Sequence, residues 1–334
     1  MGRWIIRKGT KKSGFRYVRD DGGPVAGAVR ERIAKLGVPP AWRDVHIAAS
    51  SRAAIQAWGY DVRGRRQYRY HANAVKRREL RKHYRVRQLA RDLPGLRARL
   101  ERDSRRRGYS RAKVAAVVVR LIGEGFFRVG SDRYARENRT FGITTLRKSH
   151  VEVKRGFIVF AYRGKLRRQQ RHVVVNPDLA RLIRQMLGTP GPRLFRYETD
   201  AGWRALTSRD VNKYLETAAG FPYTAKDLRT WGGTLRVATV LAELGTPASD
   251  WEARKNALTA IRLVAAELGN TPAICRASYV HPEVLQRYLE ARETIRVRRS
   301  RARPAAAGQS PEERALINFL DEHFPERRKT RRDE

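Results

Sequence analysis

The stretch from Leu268 to Glu283, "LGNTPAICRASYVHPE", sets a polar Leu-Gly-Asn corner ahead of Tyr279, and Tyr279 just ahead of a His-Pro helix start. A tyrosine in such a connection ordinarily packs half-buried between two helices. It is also a nucleophile that can bond covalently to phosphorus when other side chains supply what the reaction lacks. The phosphodiester oxygens that gain charge need fixed cationic or N–H donors. The departing 5′-oxygen needs a proton from a general acid. A metal-free version of this chemistry calls for a tyrosine, two arginines, a lysine and one further donor.

The chain is built for a polyanionic partner. It carries 73 Lys and Arg against 33 Asp and Glu in 334 residues, a formal net charge of +40. Self-repulsion on that scale destabilises a compact state unless a polyanion neutralises it. Arginine dominates, and its planar fork matches phosphate oxygens bidentately. Nucleic acid is therefore the expected partner. The single cysteine, Cys275, rules out an internal disulfide framework and a cysteine-based zinc site, and is expected to be a small packing residue. There is no Walker A loop, no glycine-rich dinucleotide fingerprint and no His-Glu-x-x-His. No close acidic group stands out as a two-metal nuclease site would. The expectation is no cofactor, no nucleotide and no metal. The amino-terminal "MGRWIIRKGTKK" lacks a signal-peptide core, and no apolar run is long enough to span a membrane, so a soluble cytoplasmic protein is expected.

The elements that must position such groups divide the chain into three, residues 1–76, 77–296 and 297–334. The first part reads as β-rich, with "RWIIRKGTKKSGFRYVRDDG" as a hairpin and "DVHIAAS", "AAIQAWGYD" and "RQYRYHA" as strands. A short helix, "GAVRERIAKLG", is inserted and stopped by Gly37. Helical periodicity takes over from "NAVKRRELRKHYRVRQL", and Ser110 is a good N-cap for "RAKVAAVVVRLIGEG". A β interlude is predicted in "FGITTL" and "HVEVKRGFIVFAYRGKLRRQQRHVVV", with Arg163-Gly164 as a tight turn in which glycine takes φ > 0. After "NPDLARLIRQML" the chain is expected to be almost wholly helical through "VLQRYLEARETI". A basic, Pro/Ala-rich linker follows from about Val297, then one helix opened by Ser310, Pro311 and Glu313 as a capping box. The closing "PERRKTRRDE" is expected to be disordered and to add phosphate contacts. The fold class is α+β.

Four motifs, "FFRVGSDRYARENRTFGITTLRKSHVEV", "YRGK", "AKDLRTWG" and "LGNTPAICRASYV", resemble in order the motif series of the type IB DNA topoisomerases, in their compact poxvirus-like and bacterial branch. "GVPPAWRDVHI" and "AWGYDVRGRRQYRYH" resemble that branch's small amino-terminal domain. The likeness runs from about residue 35 to about residue 290. It implies a small β-rich domain and a larger, mainly α-helical catalytic domain with a short antiparallel sheet, closing as a C-shaped clamp on duplex DNA. It also implies a monomeric bacterial enzyme of the nucleoid that relaxes supercoils without ATP or metal through a 3′-phosphotyrosyl intermediate. Carried over residue by residue, Tyr279 matches the nucleophile, Arg128 and Arg229 the transition-state arginines, and Lys165 the general acid. Arg66, Gln67, Tyr68 and Tyr70 match DNA contacts.

Each residue also has an ordinary reading. Arg128 could satisfy helix-end carbonyls, Arg229 could pair with Asp227, and Lys165 could be an exposed turn lysine. Asn270 stands where the family often has a histidine that donates to a non-bridging phosphate oxygen. An asparagine can still donate through its amide but carries no charge, and after Gly269 it could simply cap a helix. Tyrosine recombinases share the catalytic set and also place Leu-Gly-His before the tyrosine. Against them stand the β-rich amino-terminal part and Lys226 where they favour histidine. A basic architectural protein that coats DNA without cutting it would explain the charge equally well.

Overall fold

The computed structural model describes residues 4–298 and 308–324. The chain divides into two compact units, residues 1–82 and 83–334. The linker residues 299–307 and the tail after residue 324 lie outside the described residues. No helix among the described residues is long and apolar enough to cross a membrane.

The first unit is a five-stranded antiparallel sheet with one helix. Its strands are β1 (Trp4–Thr10), β2 (Gly14–Arg19), β3 (Arg43–Ala48), β4 (Ile55–Tyr60) and β5 (Arg66–Tyr70), in the spatial order β2-β1-β3-β4-β5. Alternation along the strands sends Ile5, Val45, Ile47 and Ala57 to one face, where they bury with Ile33 of helix α1 (Gly27–Lys35). The β1–β2 turn closes at Gly14, whose φ of +77° suits glycine. The opposite face carries Trp4, His46, Trp58 and Tyr68, since β3 and β4 pair His46 with Trp58 and β4 and β5 pair Trp58 with Tyr68.

A long helix, α2 (Ala72–Ser104), runs across the division between the units. Its second half buries Val86, Leu89, Ala90, Leu93, Leu96 and Leu100 at helical spacing. At the centre of the second unit lies α3 (Arg111–Gly125), capped by Ser110, which accepts from the Lys113 N–H at 3.3 Å. Residues 114–119 of α3 are buried on every side, as a helix surrounded by partners requires. Around it sit the short α4 (Asp132–Asn138), the sheet β6 (Val151–Val153), β7 (Phe157–Arg163), β8 (Gln169–Val175), and α5 (Pro177–Leu187). The hairpin β9 (Arg196–Thr199) and β10 (Gly202–Ala205) follows, then α6 (Ser208–Ala219), α7 (Ala225–Leu244), α8 (Asp250–Glu267), α9 (Pro272–Tyr279), α10 (Pro282–Glu290) and α11 (Pro311–His323). The whole is a mixed α+β chain with an amino-terminal antiparallel sheet and a mostly helical larger unit.

Four details differ from the sequence expectations. "FGITTL" forms a 3-10 turn over Ile143–Thr145 instead of a strand. Its N–H groups are used elsewhere, with Ile143 and Thr144 donating to the Arg128 and Val129 carbonyls at 2.8 and 2.9 Å. The β9–β10 hairpin interrupts the stretch expected to be helical; Thr199 Oγ1 donates across its turn to the Gly202 carbonyl at 2.8 Å. In the β7–β8 turn the left-handed residues are Leu166 and Arg167, at φ 61° and 59°, while Gly164 is extended. Glycine is needed at 164 for room, because a Cβ there would come 2.6 Å from Gln170 Cγ. Finally, the connection between two helices that holds Asn270 and Tyr279 contains a helix of its own, α9.

Candidate active site

The Leu268-Gly269-Asn270 corner is where the predicted residues meet. Helix α8 ends at Glu267, Gly269 takes the left-handed conformation at φ 62°, and the Asn270 N–H returns to the Ala265 carbonyl at 2.8 Å. This is the six-to-one bond of a glycine-terminated helix, so the backbone of Asn270 does perform the capping role. Its side chain is then available for something else. Arg128 Nη2 donates to the Gly269 carbonyl at 2.7 Å and to Asn270 Oδ1 at 2.5 Å. Arg229 Nη2 donates to the Leu268 carbonyl at 3.1 Å. Three consecutive acceptors thus fix two arginines.

Each arginine is brought there by its own element. Arg128 leaves α3 through Phe126, left-handed at φ 52°, and its backbone is braced by the Ile143 N–H. Its side chain does not serve the α3 carbonyls. Arg229 lies near the start of α7, where Thr224 and Asp227 form a capping box. Asp227 is fully engaged by Thr224 and by Arg85, whose Nη2 lies 2.7 Å away, so it is not the partner of Arg229. Arg229 is 3% exposed, and its Nε and Nη1 have no hydrogen-bond partner among the described residues. The Asn270 amide nitrogen is buried in the same condition. Its orientation is fixed because the oxygen must face the Arg128 donor. Buried donors without acceptors are costly, and both belong to residues bonded at the Leu268–Asn270 corner.

Tyr279 closes α9, which starts with Pro272 and a Thr271 cap accepting from the Ile274 N–H at 3.3 Å. Its ring centroid lies 5.2 Å from the Arg229 guanidinium carbon. Burial alone would raise the phenol pKa, but the nearby Arg229 guanidinium and the charges of Arg128 and Lys226 together bring it below its ordinary value. Burial lowers the Arg229 pKa, against the pull of Tyr279. The phenol of Tyr279 therefore ionises more readily than a free one, and an ionised phenol is the stronger nucleophile.

Lys165 stands apart. It opens the β7–β8 turn, is exposed, and makes no contact with the other four among the described residues. The turn nevertheless borders the corner: Gln170, which packs against Gly164, also places its Oε1 against Gly269. In the other unit, Arg66, Tyr68 and Tyr70 share one face of the edge strand β5, and Arg66 lies 3.8 Å over the Trp58 ring. Gln67 points to the other face and donates to Asp61 Oδ2 at 2.9 Å. Cys275 is buried and its thiol is pushed up to about 11 by burial, as an inert packing residue's would be.

Sequence reasoning missed the residues that seat Tyr279. Thr234 Oγ1 donates to the Tyr279 carbonyl at 3.1 Å and accepts from the His281 N–H at 3.0 Å. A Cβ at Gly233 would come 3.0 Å from the Tyr279 carbonyl oxygen, so glycine lets α7 and the Tyr279 segment touch. The signal was the Gly232-Gly233 pair inside a helix, unfavourable by propensity and so kept for packing. Gln170 had no signal at all. Among the described residues, no three His, Cys, Asp or Glu side chains group as metal ligands would.

The chain matches two family models. Residues 71–305 match the eukaryotic DNA topoisomerase I catalytic core, and residues 14–61 the bacterial DNA topoisomerase IB amino-terminal domain. It is 32% identical over 289 residues to DNA topoisomerase 1B of Acanthamoeba polyphaga mimivirus, covering 83% of this chain and 86% of the viral one. It is 24% identical over 236 residues to DNA topoisomerase 1B of vaccinia virus, strain Copenhagen, covering 68% and 70%. Among solved structures, the XerH site-specific recombinase bound to its palindromic difH substrate aligns at 17% identity and a TM-score of 0.39, over 59% of this chain and 49% of that one.

Proposed function

The chain belongs to the type IB DNA topoisomerases, and from that membership we propose that Tyr279 is the nucleophile that opens and reseals one strand of duplex DNA. The observation that carries the assignment is the convergence of Arg128, Arg229, Asn270 and Tyr279 about the Leu268–Asn270 corner. The donors of Arg229 and Asn270 that have no partner among the described residues are suited to the non-bridging oxygens of the scissile phosphate. There they stabilise charge that develops in the transition state.

In this reading the Tyr279 phenol releases its proton to solvent, and the Oη–P bond forms as the P–O5′ bond breaks. Lys165 Nζ gives its proton to the leaving 5′-oxygen. The bond energy is retained in the 3′-phosphotyrosyl ester, so the freed 5′-hydroxyl can reverse every transfer, and no ATP or metal is required. Lys165 reaches the phosphate when the β7–β8 turn is lowered onto DNA, which fits its exposed place beside Gln170 and Gly269.

The same proposal assigns residues 1–76 to DNA binding, 77–296 to catalysis and 297–334 to a linker, helix and tail. Closure of the first two on duplex DNA completes a clamp that works as a monomer. Arg66, Gln67, Tyr68 and Tyr70 touch the duplex. The match to the bacterial amino-terminal domain supports a bacterial source, and in this reading the enzyme acts on the nucleoid in the cytoplasm.

The test uses supercoiled plasmid with EDTA and without ATP. The chain should relax it, denaturant should trap a covalent adduct that maps to Tyr279, and Tyr279→Phe should abolish both. Relaxation that survives in Tyr279→Phe, or an adduct on another residue, would refute the assignment.

A further inference from the structure

Helix α11 begins beyond residue 305, where the match to the topoisomerase catalytic core ends. It is nonetheless docked by specific polar bonds as well as by Leu316, Ile317, Phe319 and Leu320 in the core. Pro94 interrupts α2 and cannot donate to the Ala90 carbonyl. Gln309, just ahead of α11, donates to that carbonyl instead at 2.9 Å. Glu313, 3% exposed, takes both Arg97 Nη atoms at 2.8 and 2.6 Å. At the other end the buried Arg87 donates to the carbonyls of Leu320 and Phe324 at 3.2 and 2.5 Å.

What these anchors hold is more telling than the anchors themselves. Glu313 Oε1 accepts from the Trp231 indole at 3.5 Å, and Trp231 lies two residues beyond Arg229 on α7. The Phe324 ring meets His281 edge-on, with centroids 4.7 Å apart, and His281 lies two residues beyond Tyr279. His281 in turn lies 4.4 Å from the His83 ring and donates its backbone N–H to Thr234 on α7. Each end of α11 therefore touches the chain just past one partner of the Arg229–Tyr279 contact.

We infer that α11 is a clasp that sets the Arg229–Tyr279 geometry, with Glu313 acting through Trp231 and Phe324 acting through His281 as positioning residues. Neither touches the reacting atoms. The clasp fixes how the nucleophile segment lies on α7, and small displacements there are amplified because reactivity depends steeply on alignment. The inference rests on the Tyr279 reading above and adds a device outside the matched catalytic core.

The test is single-turnover cleavage by the full chain at saturating protein, across a pH series. The duplex releases a short strand on cleavage, so that religation cannot occur. An adduct at Tyr279 in the unaltered chain is the starting observation, and its absence removes the functional reading together with the clasp. Given that adduct, Phe324→Ala should slow cleavage on the order of tenfold. It should also move the half-maximal pH upward, because Arg229 stabilises the phenolate less well. Affinity for intact duplex, measured in a Tyr279→Phe background, should not change. Phe324→Tyr, which keeps the ring, should restore the rate and the pH profile. Glu313→Gln keeps the shape and removes the charge, and should act in the same direction if Phe324→Ala does not fold. Folded variants with an unaltered rate and pH profile would overturn the clasp while leaving Tyr279 in place. A loss matched by an equal loss of duplex affinity would overturn it as well.

Discussion

Two arginine–aromatic pairs in this molecule use similar side chains for opposite ends. In the amino-terminal unit the exposed Arg66 lies 3.8 Å over Trp58, whose ring is also stacked on His46 with centroids 3.9 Å apart. In the catalytic unit Arg229 lies 5.2 Å from the Tyr279 ring and is 3% exposed. Solvent screens the first pair, so the stack contributes about 0.5–1 kcal/mol and serves mainly to hold the guanidinium flat. Burial strips water from the second, and its charge acts through a medium of much lower dielectric. That is why Arg229 lowers the Tyr279 pKa despite the opposing effect of burial. The exposed pair is suited to adhesion and the buried pair to catalysis.

The largest effect expected from this contrast is at the buried pair. Arg229→Ala should lower single-turnover cleavage by on the order of 10²–10³, with duplex affinity nearly unchanged. The sign of its pH effect follows from the cause. Arg229 favours the phenolate, so removing it raises the Tyr279 pKa and moves the alkaline rise of cleavage to higher pH. Asn270→Ala should cost less, on the order of tenfold, because a neutral donor is about half as strong as a charged one. Stopped cleavage measured against pH checks both. A wild-type rate in Arg229→Ala would erase the distinction between the two pairs.

That the buried pair forms could be anticipated only in part. Arg128, Arg229 and Tyr279 were legible because their chemistry and the resemblance named the same residue types in the same order, and Asn270 by its position before Tyr279 although the family often has a histidine there. The cap of α11 was legible too, since Ser310, Pro311 and Glu313 lie within four residues and act locally. The seating of Tyr279 on Gly233 and Thr234 joins residues about 45 positions apart, and no local pattern encodes that pairing. "FGITTL" misled for a related reason. Its alternation suits a strand, but its N–H groups are taken by the Arg128–Val129 backbone, a tertiary demand that overrides local propensity. The Gly164 turn failed because the strained residues are Leu166 and Arg167, neither of which announces a left-handed backbone.

The exposed pair should respond to substitution in a different observable. Arg66→Ala should weaken duplex binding by roughly tenfold and, if its contact is to phosphate, flatten the salt dependence of log K by about one unit. Trp58→Ala should weaken binding less, because Arg66 keeps its charge and loses only its rigid support. In both variants cleavage at saturating protein should match that of the unaltered chain. Binding isotherms at several salt concentrations, paired with single-turnover rates, separate the two pairs cleanly. A cleavage defect at saturation in Trp58→Ala would mean that the sheet face does more than hold DNA.

A last expected effect falls on stability and concerns how the two units respond to acid. Within reach of the Arg229 and Arg128 charges, His172 is held down to about 4 from 6.5, chiefly by burial and then by the charge of Arg229. Around it are Tyr162, whose hydroxyl lies 3.2 Å from Nε2, the Phe127 ring, and the charge of Arg128. A histidine depressed in the folded state favours folding while neutral. Its contribution is complete above pH 6.5 and is lost as the pH falls toward 4, amounting to about 3 kcal/mol across that interval. In the amino-terminal unit the carboxyl group held low is Asp61, brought from 3.8 to about 2 chiefly by its bonds with Arg65. A depressed carboxylate also stabilises above its unfolded pKa, but its contribution is lost only as the pH falls from 3.8 to about 2. Between pH 6.5 and 4, therefore, the His172 contribution weakens the catalytic unit while the Asp61 contribution to the other is intact. Denaturant unfolding followed from pH 7 to 4 should show a stability slope for the catalytic unit that His172→Gln makes shallower. An identical slope in the variant would place the acid sensitivity elsewhere.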